Sequence, residues 1–560
     1  MTLTLVKKPT IIVIGAGVAG MATGAYAQMS GFDSRIFEMH VLPGGCCTSW
    51  SRKGYIFDYC IEWLIGSGAG NDANQVWREL GALDGKRITN FEMFNRVVDH
   101  DGRSVTFYND PARLRDHLIA VAPEDSKLTA AFCDDLERFT RLDLYPFLKP
   151  WPLMTWRERF AMLRKVLPVF RLFWRNAALP MERFCERLQN PLLRRAFPNI
   201  FFQDHECFPV LPYLYNLACA FNHNAGFPEG GSLGLSRSIE QRYLSLGGQI
   251  QYRAKVAKIL VDRDRAVGVE LGDGAQHFAD VVVSACDGAT TIYKMLGGRY
   301  VDPTIEKLYK DILHRPKLIY PGVVSVFLGV KGEVGDDDAH STTYLLDDAD
   351  VAALPMASQK SLVVQHRSRY STGFAPHGKS VVHCTYFTDY AYWKKLRTED
   401  RAGYRAEKHR VASFVQSFLE RRYPGLRDRT EIVNVTSPAT TERYTGNYNG
   451  SILAWKSFTE AEDVAATLVN KRGMQLPGLR GFYMAGQWVS GGGLIRAASS
   501  GRFAMQFICR DLKRPFRAWN SSEVAPWQPS SLDALPQLDD EPPVLASATN
   551  AVTAVTAVNG

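Results

Sequence analysis

The sequence predicts an α/β fold: a discontinuous domain of strand–glycine–helix units, an inserted α+β domain and a disordered C-terminal tail. Three observations predict it. A β-branched run at residues 11–14 leads into Gly15, Gly17 and Gly20, and a helix pattern follows over residues 18–30. A strand–glycine–helix pattern returns at residues 479–511. Beyond residue 515 the composition shifts to Pro, Ser, Ala and Asp and ends in Ala-Val-Thr repeats, which cannot build a packed core.

The first strand is short and β-branched, as a strand buried on both faces requires. Gly31 closes the helix that follows, and residues 34–38 read as a second strand. Residues 75–221 read as mostly helical, with many aromatics and arginines. Gly230-Gly231 and residues 235–246 read as a loop and a helix capped by Gly247-Gly248. Short strands follow at 250–252, 256–261, 267–271 and 280–284, with a turn at Gly272-Asp273-Gly274. Residues 296–469 mix strands and helices.

A chain of 560 residues is too long for one core, so at least two domains are expected. The net charge of +8, from 66 basic and 58 acidic residues, is too small for this length to mark a nucleic-acid binder. The ten cysteines contain no CxxC pair and no even spacing, which reads as a reducing compartment such as the cytoplasm. Cys46 and Cys47 are adjacent and read either as small apolar loop residues or as redox groups. No secretory leader and no transmembrane helix are expected: the first apolar run, residues 11–14, is short and leads straight into a glycine motif.

The motif Gly15-Ala16-Gly17-Val18-Ala19-Gly20 lies between a strand and a helix, and Glu38 ends the next strand. Gly15 permits the tight turn, Gly17 lets backbone approach a pyrophosphate, and Gly20 lets helix pack on strand. The N–H groups of Val18 and Ala19, at the positive end of the helix, would face the phosphates. Glu38 can accept hydrogen bonds from both hydroxyls of an adenosine ribose, which disfavours a 2′-phosphate there. This defines a Rossmann-type dinucleotide site without separating FAD from NAD.

The sequence beyond the motif makes that separation. Pro43-Gly44-Gly45 and then Tyr55-Ile56-Phe57-Asp58 follow Glu38; Gly247-Gly248 to Val256, Gly268-Val269 and residues 279–285 lie mid-chain. Gly486-Gln487, Gly491-Gly492-Gly493-Leu494 and Ser500-Gly501-Arg502 come near the end. In this order the segments resemble the amine oxidase and phytoene desaturase superfamily. Within it they are most similar to the phytoene desaturase, carotenoid isomerase and retinol saturase group, which Pro438, Thr440-Thr441 and residues 443–451 also fit.

The resemblance implies FAD bound in a glutathione-reductase-like domain formed by residues 1–75, 225–295 and 470–515. Residues 76–224 and 296–469 would form the substrate domain, and 516–560 the tail. It implies Gly44 and Gly45 at the phosphates and ribityl chain, the Val256 backbone at adenine, and Gly486, Gln487, Gly493 and Leu494 at the flavin. A helix N-terminus there would stabilise negative charge on the reduced ring. Where the desaturase pattern has Phe-Asp-x-Gly-Pro-Ser, this chain reads Phe57-Asp58-Tyr59-Cys60-Ile61-Glu62-Trp63. Glu62 is the candidate proton acceptor by this match. No metal-ligand set and no GxSxG nucleophile motif are found.

Residues 151–180 carry Arg157, Arg159, Arg164, Lys165, Arg171 and Arg175 against one acid, Glu158. On a helical period Leu163, Val166, Leu167, Phe170, Phe173 and Trp174 oppose most of those charges, and Pro168 should kink the helix. Such a segment suits either an anionic membrane surface or the protein's own core; the resemblance implies the membrane. The expected function is oxidation of C–C bonds in a lipophilic polyene. Three rivals stand beside it: a flavin isomerase, a saturase using reduced FAD, and a prenyl-binding escort or GDP-dissociation-inhibitor-like protein that uses no flavin. An amine oxidase fits less well. The electron acceptor is left open between oxygen, a quinone and NAD.

Overall fold

The structure is a computed structural model that describes residues 8–142, 147–203, 208–335 and 339–521. Its first sheet has five parallel strands in the order Gln249–Gln251, β2 (Asp33–Phe37), β1 (Thr10–Ile14), Val281–Ser284 and Phe482–Met484. Strands β1 and Val281–Ser284 are buried along nearly their whole length, as a central parallel strand with helices on both faces must be. Helix α1 (Val18–Met29) packs against the C-terminal helix Leu494–Asp511. Their contact is close because of Gly501, where a Cβ would lie 2.5 Å from the Ala19 carbonyl oxygen. A three-stranded antiparallel sheet, Val256–Asp262, Arg265–Leu271 and Gln276–Phe278, flanks this layer.

The second large sheet has seven strands in the order Thr430–Thr436, Gly322–Lys331, Lys379–Thr388, Ser361–His366, Thr342–Leu345, Met93–Val98 and Ser104–Tyr108. Helix Arg401–Glu420 covers one face, over Val324, Leu328, Val382 and Tyr386. The other face meets the hairpin β3 (Ser49–Arg52) and β4 (Tyr55–Asp58), where Trp50, Tyr55 and Phe57 pack on Phe327. His383 and Cys384 point to opposite faces, His383 stacked on Phe327 and Cys384 in the helix-covered core, as strand alternation requires.

Three expectations change in detail. Within the mostly helical residues 75–221, Met93–Val98 and Ser104–Tyr108 form a strand pair that extends the large sheet. The sheet partner of Met93–Val98, Thr342–Leu345, lies far along the chain, and the buried Asn95 is held by Thr343 in it and by Ser341 just before it. That pairing is invisible to local pattern. Residues 516–521, expected in the tail, are held against the rest of the chain. Phe516 packs on Tyr26 with ring centroids 5.8 Å apart, and Arg242 donates to the Trp519 carbonyl at 3.2 Å. Residues 522–560 lie outside the described residues. Helix Gly231–Ser245 starts earlier than the expected 235, at a turn where Gly230 has φ of +82°.

Candidate functional site

One cavity of about 810 Å³ opens along the C-terminal ends of the parallel strands. Ile14, Gly15, Gly17, Val18 and Ala19 line it from the β1–α1 turn, and Glu38 from the end of β2. The turn is tied back by Gly15 N–H donating to the Phe37 carbonyl at 2.8 Å. Gly44 N–H donates to the Ala16 carbonyl at 2.8 Å, so the two glycine motifs face each other.

The glycines have different jobs. A Cβ at Gly17 would meet no protein atom within 4 Å: the space beside it is open, as a pyrophosphate requires. Gly20 is not in the cavity wall; a Cβ there would lie 1.9 Å from the Gly15 carbonyl oxygen, so its smallness lets α1 sit on the turn. Glu38 accepts from the Ala16 N–H at 2.6 Å and the His40 N–H at 2.7 Å, which leaves each carboxylate oxygen a lone pair for a ribose hydroxyl. Burial pushes its pKa up, and those two donors oppose the shift.

Val256 lines the same cavity, and the neighbouring Ala254 N–H donates to the Glu38 carbonyl at 2.8 Å. At the other end stand Gly486, Gln487, Gly493 and Leu494. Gly486 N–H is anchored on Ser500 Oγ at 2.8 Å. Gly493 caps the 18-residue helix Leu494–Asp511, so a long helix N-terminus opens onto the cavity.

Glu62 does not reach the wall. Tyr59 and Cys60 do, and Glu62 follows them in the chain, within reach of the Gln365 side chain and the charge of the buried Arg367. Burial lifts its carboxyl to about 7, although Arg367 and Gln365 pull it down.

Sequence reasoning gave no role to two wall residues. Asp287 is buried and accepts from the Thr290 N–H at 2.7 Å and the Tyr448 N–H at 3.0 Å. The Asp-x-x-Thr spacing after a strand is a turn signal that could have found it. Asn447 joins three segments: it accepts from Trp488 Nε1 at 3.3 Å and donates to Cys46 Sγ at 3.3 Å and the Ser451 carbonyl at 3.2 Å. Only the fold brings those segments together.

Glycine-lined open space, an anchored carboxylate and a helix N-terminus along one cavity fit a flavin dinucleotide. The residues that would hold it are Gly15, Gly17, Val18, Ala19 and Glu38 at the ADP end, and Gly486, Gln487, Gly493 and Leu494 at the ring. The chain is an FAD-dependent oxidoreductase. It belongs to the family of flavin containing amine oxidoreductases, whose model matches residues 18–506. It is 24% identical over 457 residues to the chloroplastic prolycopene isomerase of Arabidopsis thaliana, covering 79% of this chain and 73% of that one. It is 28% identical over 301 residues to the lycopene-forming phytoene desaturase of Pseudescherichia vulneris, covering 51% of this chain and 57% of that one. Cyclohexylamine oxidase from Brevibacterium oxydans shares the fold, with a TM-score of 0.55 at 13% identity over 91% of this chain and all of that one.

Proposed function

We propose that this protein oxidises C–C bonds of a lipophilic polyene, in the manner of a phytoene desaturase. Its cofactor domain (residues 1–75, 225–295 and 470–515) would be Rossmann-type and glutathione-reductase-like; the parallel sheet with its antiparallel flank supports that layout. The observation that carries the reading is the cavity's extension beyond the glycine motifs. There its wall is formed by Trp50, Tyr59, Ile452, Leu453 and Trp488, which suits an apolar chain. When bound, FAD supplies a two-electron acceptor at its isoalloxazine.

The chain's own contribution is orientation, exclusion of water and removal of a proton. Asn447 and Asp287 fix the segments that flank the ring end, and the aromatic wall keeps water out. Glu62 is our candidate proton acceptor, since a carboxyl lifted to about 7 is matched to proton abstraction near neutrality.

The relevant measurement is the visible spectrum of purified protein before and after anaerobic addition of phytoene. Flavin bands near about 370 and 450 nm are expected, with bleaching of the longer band and a new conjugated product. A second reading has a specific observation behind it: similarity to the isomerase spans 79% of the chain, that to the desaturase 51%. If oxidised enzyme ignores phytoene while pre-reduced enzyme converts prolycopene without net oxidation, the isomerase reading replaces the first. Inertness toward both substrates ends both.

The segment expected at a membrane is built as two short helices, Trp156–Val166 and Phe170–Ala177, broken at Pro168. Leu172 and Phe173 pack on the helical core, while the rest of its apolar side is open: Trp156 is 73% exposed, Leu167 68% and Trp174 66%. Arg157, Arg164, Lys165 and Arg171 are exposed beside them. No helix among the described residues is long and apolar enough to cross a membrane. We assign this surface to peripheral docking on an anionic bilayer. Co-sedimentation with phosphatidylglycerol vesicles should be clear, weaker in salt, and reduced by about tenfold in the Trp156→Ser/Trp174→Ser protein. Equal recovery with and without vesicles would refute the assignment.

A further inference from the structure

The β3–β4 hairpin pairs Ser49 with Asp58 and Arg52 with Tyr55. Continuing that register by two residues sets Cys47 opposite Cys60. One further bond crosses beyond it: Tyr59 N–H donates to the Thr48 carbonyl at 3.2 Å, while Thr48 N–H turns back to the Cys46 carbonyl at 3.0 Å. Cys47 and Cys60 are the next residues outward on the two arms, and both are tied to Ser232. A disulfide spans Cα separations of roughly 4.4–6.8 Å, the spacing of residues that face each other across two such arms. The neighbouring Cys47 thiol, together with burial, holds the Cys60 thiol well above its ordinary pKa.

The pair is held and placed. Cys47 Sγ donates to the Ser232 carbonyl at 3.3 Å, and Cys60 N–H donates to Ser232 Oγ at 3.3 Å. Ser232 is itself clamped by the buried Asp58, through its N–H at 2.7 Å and its hydroxyl at 2.7 Å. Asp58 also accepts from Ser49 Oγ at 2.9 Å, so one carboxylate organises both cysteine-bearing strands. Both thiols lie in the cofactor cavity wall, next to Gly45 and Tyr59, and both are free in this structure.

We infer that Cys47 and Cys60 are a dithiol–disulfide couple that exchanges two electrons with the bound cofactor. The inference rests on the FAD reading of the cavity. In the oxidising direction two S–H bonds are lost and one S–S bond forms. The two electrons and two protons pass to oxidised FAD, which becomes two-electron-reduced; the reverse step returns the thiols. The Cys47 thiol and burial keep Cys60 protonated, so its proton leaves together with its electron. The protein would then hold two electron pairs, one on the flavin and one on sulfur. A desaturation that removes two electrons at a time could discharge onto the disulfide when the external acceptor is slow.

The test is a reductive titration of the holoenzyme with a thiol count. Protein oxidised with ferricyanide and desalted is titrated anaerobically with dithionite. Four electrons per FAD are expected for the wild type, and two for Cys47→Ser and for Cys60→Ser. In parallel, the oxidised wild type is denatured and alkylated. It should show two fewer reactive thiols than the ten cysteines of the sequence, and peptide mapping should join Cys47 to Cys60. Uptake of two electrons by the wild type, with all ten thiols reactive, overturns the inference while leaving the flavin reading intact. A map that joins Cys46 to Cys60 overturns it equally. Protein that takes up no FAD sinks the functional reading and this coupling together. The wild-type count and map need no variant, so a misfolded serine variant does not blunt the test.

Discussion

Gly20→Ala is expected to yield largely colourless protein. The added methyl would lie 1.9 Å from the Gly15 carbonyl oxygen and 3.3 Å from Ala285 Cβ, so α1 must lift from the turn that it anchors. Backbone cannot give way as a flexible side chain can. Overpacking of this kind costs about 1–3 kcal/mol, and each 1.4 kcal/mol is roughly tenfold in Kd. FAD affinity should fall by about one to two orders of magnitude, since the shifted turn carries the N–H groups of Val18 and Ala19. Gly17→Ala supplies the contrast. Its methyl meets no protein atom, so the apoprotein should melt as the wild type does, and the loss should appear only in cofactor binding. The ratio of flavin to protein absorbance and the apoprotein Tm separate the two. A Gly20→Ala protein with full flavin content and unchanged Tm would contradict this account of α1.

Glu62→Gln should retain FAD and lose most of its turnover, by about two orders of magnitude or more if Glu62 takes the proton. The pH dependence follows from the lifted carboxyl. A base works when ionised, so wild-type kcat should rise as pH climbs through about 7, and the variant should lack that limb. Stability runs the other way. The folded carboxyl binds its proton more tightly than the unfolded one, so the native state is favoured at low pH and loses that advantage as pH rises through about 7. Above that pH the glutamine variant should be at least as stable as the wild type. A variant with unchanged kcat and an intact pH profile would show that Glu62 serves only the packing around Gln365 and Arg367.

Much of the cofactor site was legible in the sequence because its parts are local. The turn from β1 into α1 needs glycine at Gly15, Gly17 and Gly20 for reasons that operate within six residues. Glu38 stands at a strand end, and Gly493 opens a helix. Each signal is a short-range steric or dipolar requirement, so it survives without knowledge of the partner. The exposed apolar helices around Pro168 were legible for the same reason: period, charge and a proline are properties of one segment.

What only the tertiary structure decided depends on contacts between distant residues. The hairpin Met93–Val98 and Ser104–Tyr108 joins the large sheet because Thr342–Leu345 pairs with Met93–Val98, and no local period announces that long-range pairing. Phe516 and Trp519 are ordered because Tyr26 and Arg242 receive them. Asn447 gains its role from Trp488 and Cys46, which the chain places far from it. Glu62 shows both sides of the division. Its residue type and motif position mark it as a candidate base, while its lifted carboxyl comes from burial, opposed by Arg367 and Gln365. The sequence by itself determined the local backbone chemistry of an FAD site. The fold decided which side chains share its wall, because burial and cross-chain pairing are properties of the assembled core rather than of any one segment.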